Sequence, residues 1–144
     1  MNDGTPKLTA DDYPLAEKRA ELVRTRRGKT LHDITLEAVM GGEATLDDLR
    51  ITPEALRLQA QIAEAAGRPT LARNFERAAE IVDVPQDVVL GIYELLRPGR
   101  AKGKAELLEA ACMLRETYGA MRMAEFVAEA AEMYERRGLF TYRF

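Results

Sequence analysis

Gly28-Lys29-Thr30 has the form of the end of a phosphate-binding loop, in which backbone N–H groups and a lysine cradle a phosphate. That pattern requires a glycine five residues before Gly28; Val23 stands there, and no apolar strand leads into it. The run Arg24-Thr25-Arg26-Arg27-Gly28-Lys29 offers cations, but no aromatic is interleaved with them and the chain is acidic. It reads as a solvated or interface-pairing turn. The same reading applies to Arg97, Arg100, Lys102 and Lys104. His32 beside Asp33 would be an acid–base pair only if the two faced each other, which adjacent helical residues do not; Asp33 is better placed as the capping carboxylate for Thr30. Cys112, next to Ala111 and near Leu108, reads as a small buried hydrophobe. Glu106/Glu109 and Glu129/Glu132 have the spacing of solvated helix faces rather than of paired catalytic carboxylates.

What the chain lacks excludes more. It has no Ser, one His and one Cys, so Ser nucleophiles, multi-His metal sites and Cys/His zinc modules are out, and catalysis would rest on carboxylates, Tyr, Lys or Arg. A lone Cys forms no internal disulfide, and no long apolar run or signal sequence appears, which points to a cytoplasmic protein without a membrane span. A net charge of −3 provides no field for nucleic acid or anionic membrane. Arg outnumbers Lys 16 to 5, and Arg is the cation favoured at buried protein contacts. The 144 residues suit one domain, and the 22 alanines suit closely spaced helices.

The elements that must position these residues are helical throughout, so the class is all-α. Residues 1–11 read as a flexible tail. An irregular arm follows: Pro14 biases Tyr13 to an extended conformation, Leu15–Val23 holds a turn or two of helix, and Thr30-x-x-Asp33 and Thr45-x-x-Asp48 mark the starts of two short helices, the first stopped by Gly41-Gly42. About five regular helices come next, packed as an orthogonal or bundle-like domain. Thr52-Pro53 opens residues 53–66, Pro69 a helix to about 82, and Pro85 one to about 96; Arg97-Pro98-Gly99 breaks the chain before 104–118 and 121–136. In the last of these, Met123, Phe126, Ala130 and Tyr134 form the expected packing face.

Residues 53–66 carry more apolar surface than a helix on one core needs. Only Glu54, Arg57, Gln61, Glu64 and Arg68 make a polar stripe, leaving an apolar arc of roughly 220°, so this helix is expected to be covered on two sides. Gln59 projects into that arc between Ala55, Ile62 and Ala66. A buried amide must find a partner, either a neighbouring backbone or a group on another subunit.

Several strings then carry a resemblance. Asp12-Tyr13-Pro14-Leu15-Ala16, Thr35-Leu36-Glu37, the run from Arg50 to Ala60 and the run from Asn74 to Glu80, followed by Pro85 and Leu96-Arg97-Pro98, closely resemble the small (γ) subunit of adenosylcobalamin-dependent diol and glycerol dehydratases, over residues 12–137. The resemblance implies a non-catalytic subunit in a complex with large (α) and medium (β) subunits that converts 1,2-diols or glycerol to aldehydes and water by a radical 1,2-shift. It implies that adenosylcobalamin, substrate and its metal ion are held by the other subunits, with no catalytic, cofactor or metal residue on this chain. Interface candidates are Tyr13, Pro14, Arg50, Arg57 and Gln59, which lie in or beside the best-matching strings. The competing reading is a free-standing helical adaptor or regulator.

Two features depart from the family. Some members carry a longer N-terminal extension linked with enclosure in a bacterial microcompartment; about eleven residues precede Asp12 here, too few for a stable amphipathic helix, so this N-terminus gives enclosure no support. The end, residues 138–144, puts Phe140, Tyr142 and Phe144 on one side if extended. Such a row docks either on the chain's own last helix, near Met133 and Tyr134, or on the large subunit.

Overall fold

A computed structural model describes residue 4 and residues 6–141. The chain forms two compact units, Met1–Val82 and Asp83–Phe144. No strand occurs among the described residues; an isolated antiparallel bridge joins Arg24 and Thr30. The fold is all-α.

The first unit opens with a 3-10 turn at Ala10–Asp12, then α1 (Leu15–Lys18), a second 3-10 turn (Ala20–Leu22) and a third (Leu31–Asp33). Two short helices follow, α2 (Leu36–Met40) and α3 (Leu46–Leu49), and then the long pair α4 (Pro53–Ala65) and α5 (Pro69–Ile81). The flexible tail expected over 1–11 is already anchored at Leu8, which is buried and donates its N–H to Gln61 Oε1 at 3.1 Å. The helix expected from Thr30 to Met40 is broken at Ile34 because two caps compete. Asp33 accepts from the N–H of Thr30 at 2.7 Å and closes a single turn, and Thr35 then starts afresh by accepting from Ala38 N–H at 3.1 Å.

α4 is covered on two sides, as its apolar arc requires. Leu58 and Ile62 pack with Leu8, Leu15, Leu22 and Val23, while Ala60 and Ala63 pack against Ala72 and Phe75 of α5. Thr52 caps the helix by accepting from Ala55 N–H at 3.1 Å, and Pro53 occupies the first position, where its missing N–H costs nothing.

The second unit is α6 (Gln86–Leu96), α7 (Lys104–Glu116) and α8 (Met121–Arg137) around one core. Leu107, Ala110, Ala111 and Leu114 of α7 meet Ala124, Val127 and Ala131 of α8, with Ile92 of α6 beside them. The packing face of α8 is centred on Ala124, Val127 and Ala131, with Met123 and Tyr134 of the expected face packed beside it. Phe126 is exposed at 39%, and the inward ridge lies one residue, about 100°, further round. Alanine at 124 and 131 removes the bulk that would hold the two helices apart, so the small ridge permits the closer contact. Cys112, expected to be buried, is exposed, because the buried face of α7 runs through 107, 110, 111 and 114 and turns away before 112. Gly138 ends α8 in the left-handed conformation at φ 63°, which suits a residue without a Cβ.

Candidate interaction surface

The surface with most to explain is the arm between residues 23 and 55. Its turn is set by Gly28, whose φ of 80° lets Gly28 N–H reach Thr25 O and Thr25 N–H reach Lys29 O, both at 2.9 Å. That turn delivers Arg27 to Asp48. The Asp48 carboxylate caps α3 by accepting from Thr45 N–H at 3.0 Å, and Arg27 Nε donates to its other oxygen at 3.0 Å while Nη2 donates to the first. The guanidinium, followed by the Thr45 amide, holds the Asp48 carboxyl far below the usual carboxylate range. Arg27 Nη2 also donates to Glu43 O at 2.9 Å, tying together the two ends of the arm.

Outside this clamp the arm is apolar and open. Leu36 and Met40, four residues apart on α2, are 73% and 80% exposed, and Leu46 on α3 is 79% exposed. Leu49 and Ile51 are exposed as well, whereas Ala38 and Asp48 are what the two short helices turn inward. Helices this short do not persist on their own; they are held by their caps and the Arg27 clamp, which leaves their apolar residues to face outward. A cleft of about 380 Å³ runs beside them, lined by the apolar Val23, Leu31, Ile34, Leu49, Ile51 and Ala55 and by the cations Arg24, Lys29 and Arg50.

The residues picked from the sequence fall around this surface unevenly. Arg50 is exposed and lines the cleft, with Asp47 Oδ1 at 3.5 Å. Tyr13 is exposed and Pro14 half-buried where the chain enters α1, and their peptide bond is cis. Gln59 is half-buried one turn along α4 from Ala55 and makes no side-chain hydrogen bond among the described residues. The backbone partner expected for it is absent, and Gln61 is the glutamine that bonds within the chain. Arg57 is exposed on the far side of α4, since two residues along a helix are about 200° apart. The exposed apolar residues at 36, 40, 46, 49 and 51 were missed. Its signal was present in apolar residues on segments too short, and too soon ended by Gly41-Gly42, to own a core face.

Elsewhere the charges suspected of chemistry are spent within the chain. Asp33 accepts from both the N–H and the hydroxyl of Thr30, which lowers its pKa. Lys104 Nζ sits 2.6 Å from Glu132 and 2.9 Å from Glu135, which raise its pKa, and Arg97 donates to Glu94 at 3.0 Å. Among the described residues no three His, Cys, Asp or Glu side chains are grouped to hold a metal ion, and no helix is long and apolar enough to cross a membrane. A second cleft, of about 440 Å³, lies between α6 and α7 and is lined by Ile92, Leu95, Ala110 and Met113 with Glu106 and Glu109 at its edge.

Of the expected tail, Tyr142 and Phe144 lie outside the described residues. Residues 138–140 form a turn rather than an extended strand, and Phe140 packs on the Tyr134 ring with centroids 6.1 Å apart, tilted by 59°.

The sequence matches the dehydratase small subunit family over residues 8–141. It is 53% identical over 133 residues to a propanediol dehydratase small subunit from Citrobacter freundii, covering 92% of this chain and 76% of that protein. With the propanediol dehydratase small subunit of Salmonella typhimurium it shares 55% identity over 126 residues, 88% of this chain and 72% of the relative. Likeness of this extent takes in the arm and both helical units alike: the chain belongs to the dehydratase small subunit family.

Proposed function

We propose that this chain is the non-catalytic small subunit of a cytoplasmic, adenosylcobalamin-dependent diol dehydratase, which converts 1,2-propanediol or a related diol, glycerol included, to an aldehyde and water. Its partners are a large subunit, whose barrel carries the chemistry, and a medium subunit. The observation that carries this reading is the exposure of large apolar residues on the arm, with Leu36, Met40 and Leu46 each at least 73% exposed. Exposed apolar surface of this kind favours cover by another chain. Arg50 lines the cleft of the arm, and Arg50, Tyr13, Pro14 and Gln59 are the contacts proposed for the large subunit; Arg57 belongs to the contact only if α4 is gripped from both sides.

Adenosylcobalamin is assigned in this reading to the other subunits of the complex. No reaction step is therefore routed through the residues of this chain. Its task is support: a radical intermediate survives only where solvent is kept out and the barrel stays rigid.

The test is co-expression with the candidate large and medium subunits, pull-down, and an aldehyde assay with and without adenosylcobalamin. Assembly and cofactor-dependent aldehyde formation are expected only when the chains are combined. Micromolar cobalamin binding by the purified chain alone, in equilibrium dialysis, would contradict the assignment.

A further inference from the structure

We propose that the cleft of the arm seats a segment of the large subunit in which one bulky apolar side chain is accompanied, within about one helical turn, by an acidic residue. The proposal rests on the subunit reading above and adds the chemistry of the contact. The lining residues Leu31, Leu49 and Ile51 are apolar, and about 380 Å³ accommodates one or two large side chains. The cations Arg24, Lys29 and Arg50 line it too, although the chain as a whole carries −3.

Among the described residues Arg24 and Lys29 have no carboxylate at ion-pair distance, and Arg50 has one, the exposed Asp47. Arg24 donates to the carbonyls of Glu21 at 3.2 Å and Gly28 at 3.5 Å, and Lys29 donates to the carbonyl of Glu43; these are dipoles, which orient a cation without cancelling its charge. Asp33 feels both charges from a distance, with its oxygens already engaged by Thr30. Arg50 has only the exposed Asp47, 3.5 Å away. Asp48, the one carboxylate in the lining, is taken up by Arg27 and Thr45. An apolar lining beside cations held mainly by carbonyl dipoles selects an acidic, apolar-anchored peptide, and an acid brought there meets cations already held in place.

The experiment uses the assembled complex. A zero-length carbodiimide joins an amine to a carboxylate only where they touch, so the wild-type complex should yield a Lys29 cross-link to an Asp or Glu of the large subunit with a large apolar residue within four positions. In parallel, Arg50→Glu should weaken assembly by about tenfold at low salt and much less at high salt, and Ile51→Asp should weaken it at both, each leaving the melting temperature of the isolated chain unchanged. If the wild-type chains assemble but Lys29 links to no carboxylate of the large subunit, or both variants assemble like wild type, the cleft proposal is overturned while the subunit reading stands. If the wild-type chains do not assemble at all, the subunit reading falls and takes this proposal with it.

Discussion

Arg27 and Asp48, twenty-one residues apart, are joined by two side-chain hydrogen bonds, and the aspartate they bury is also the cap of α3. One carboxylate thereby closes the turn at Gly28, starts a helix and fixes both ends of the open arm. Removing either partner leaves the other without its counter-charge, and for Asp48 that charge is buried. Asp48→Ala should lower the melting temperature of the isolated chain by roughly 5 °C or more, and Arg27→Ala should do nearly the same. The double variant should fall little further than either single one, because both delete one interaction. Additive losses would show that the two residues act separately.

Acid should loosen the first unit through the same carboxylates. Asp48, Asp12 and Asp33 all have lowered pKa values: Asp48 chiefly from Arg27, Asp12 from the Thr9 amide and then Arg19, and Asp33 from the Thr30 amide. A carboxyl whose folded value lies below its unfolded value binds more protons when unfolded, so its contribution is complete above the ordinary value of 3.8 and is lost as pH falls below it. Melting curves from pH 7 downward should be flat at first and then decline below about pH 4. Asp48→Asn should start lower and decline less.

The core of the second unit should answer to single deletions. Leu107 is fully buried between α7 and α8, and Leu107→Ala should cost about 2–5 kcal/mol in denaturant unfolding. Phe126→Ala, on the outward side of α8, should cost well under half as much; equal costs would mean that the inward ridge is the 123/126/130/134 face after all.

Phe140 is anchored on α8. Tyr134 donates its hydroxyl to the carbonyl of Leu96 and presents its ring to Phe140. Tyr134→Phe should cost about 0.5–1.5 kcal/mol, and Phe140→Ala should lower the melting temperature of the isolated chain without weakening assembly. A tail that instead serves the large subunit would show an unchanged melt and weaker assembly in the Phe140 variant.

At the proposed contact, Tyr13→Ala or Gln59→Ala should weaken association with the large subunit about thirtyfold or more if these are central anchors, since truncating such residues costs about 2 kcal/mol or more. Arg57→Ala, on the opposite side of α4, should weaken it far less. Equal affinities across all three would remove Tyr13 and Gln59 from the interface.

Sequence by itself determined the class, the order of helices and most of their ends. Helix starts and stops are local events: Thr52-Pro53, Pro69, Pro85 and the glycine stops act through their own backbone and nearest neighbours, so α4 to α8 could be placed from the punctuation. The two-sided burial of α4 was legible as well, because an apolar arc that wide has no other use. Tertiary structure alone decided which ridges face inward. One residue is a 100° turn, so where neighbouring ridges are both apolar, periodicity cannot choose between them; alanines at 124 and 131 permitted a close approach, which turned Phe126 and, across the contact, Cys112 outward. It also decided the partners. Whether Gln59 or Gln61 meets a backbone amide, and whether Arg27 rather than Arg24 finds Asp48, depends on groups brought together from 21 and 53 residues away. Such pairings exist only once the chain has folded around them.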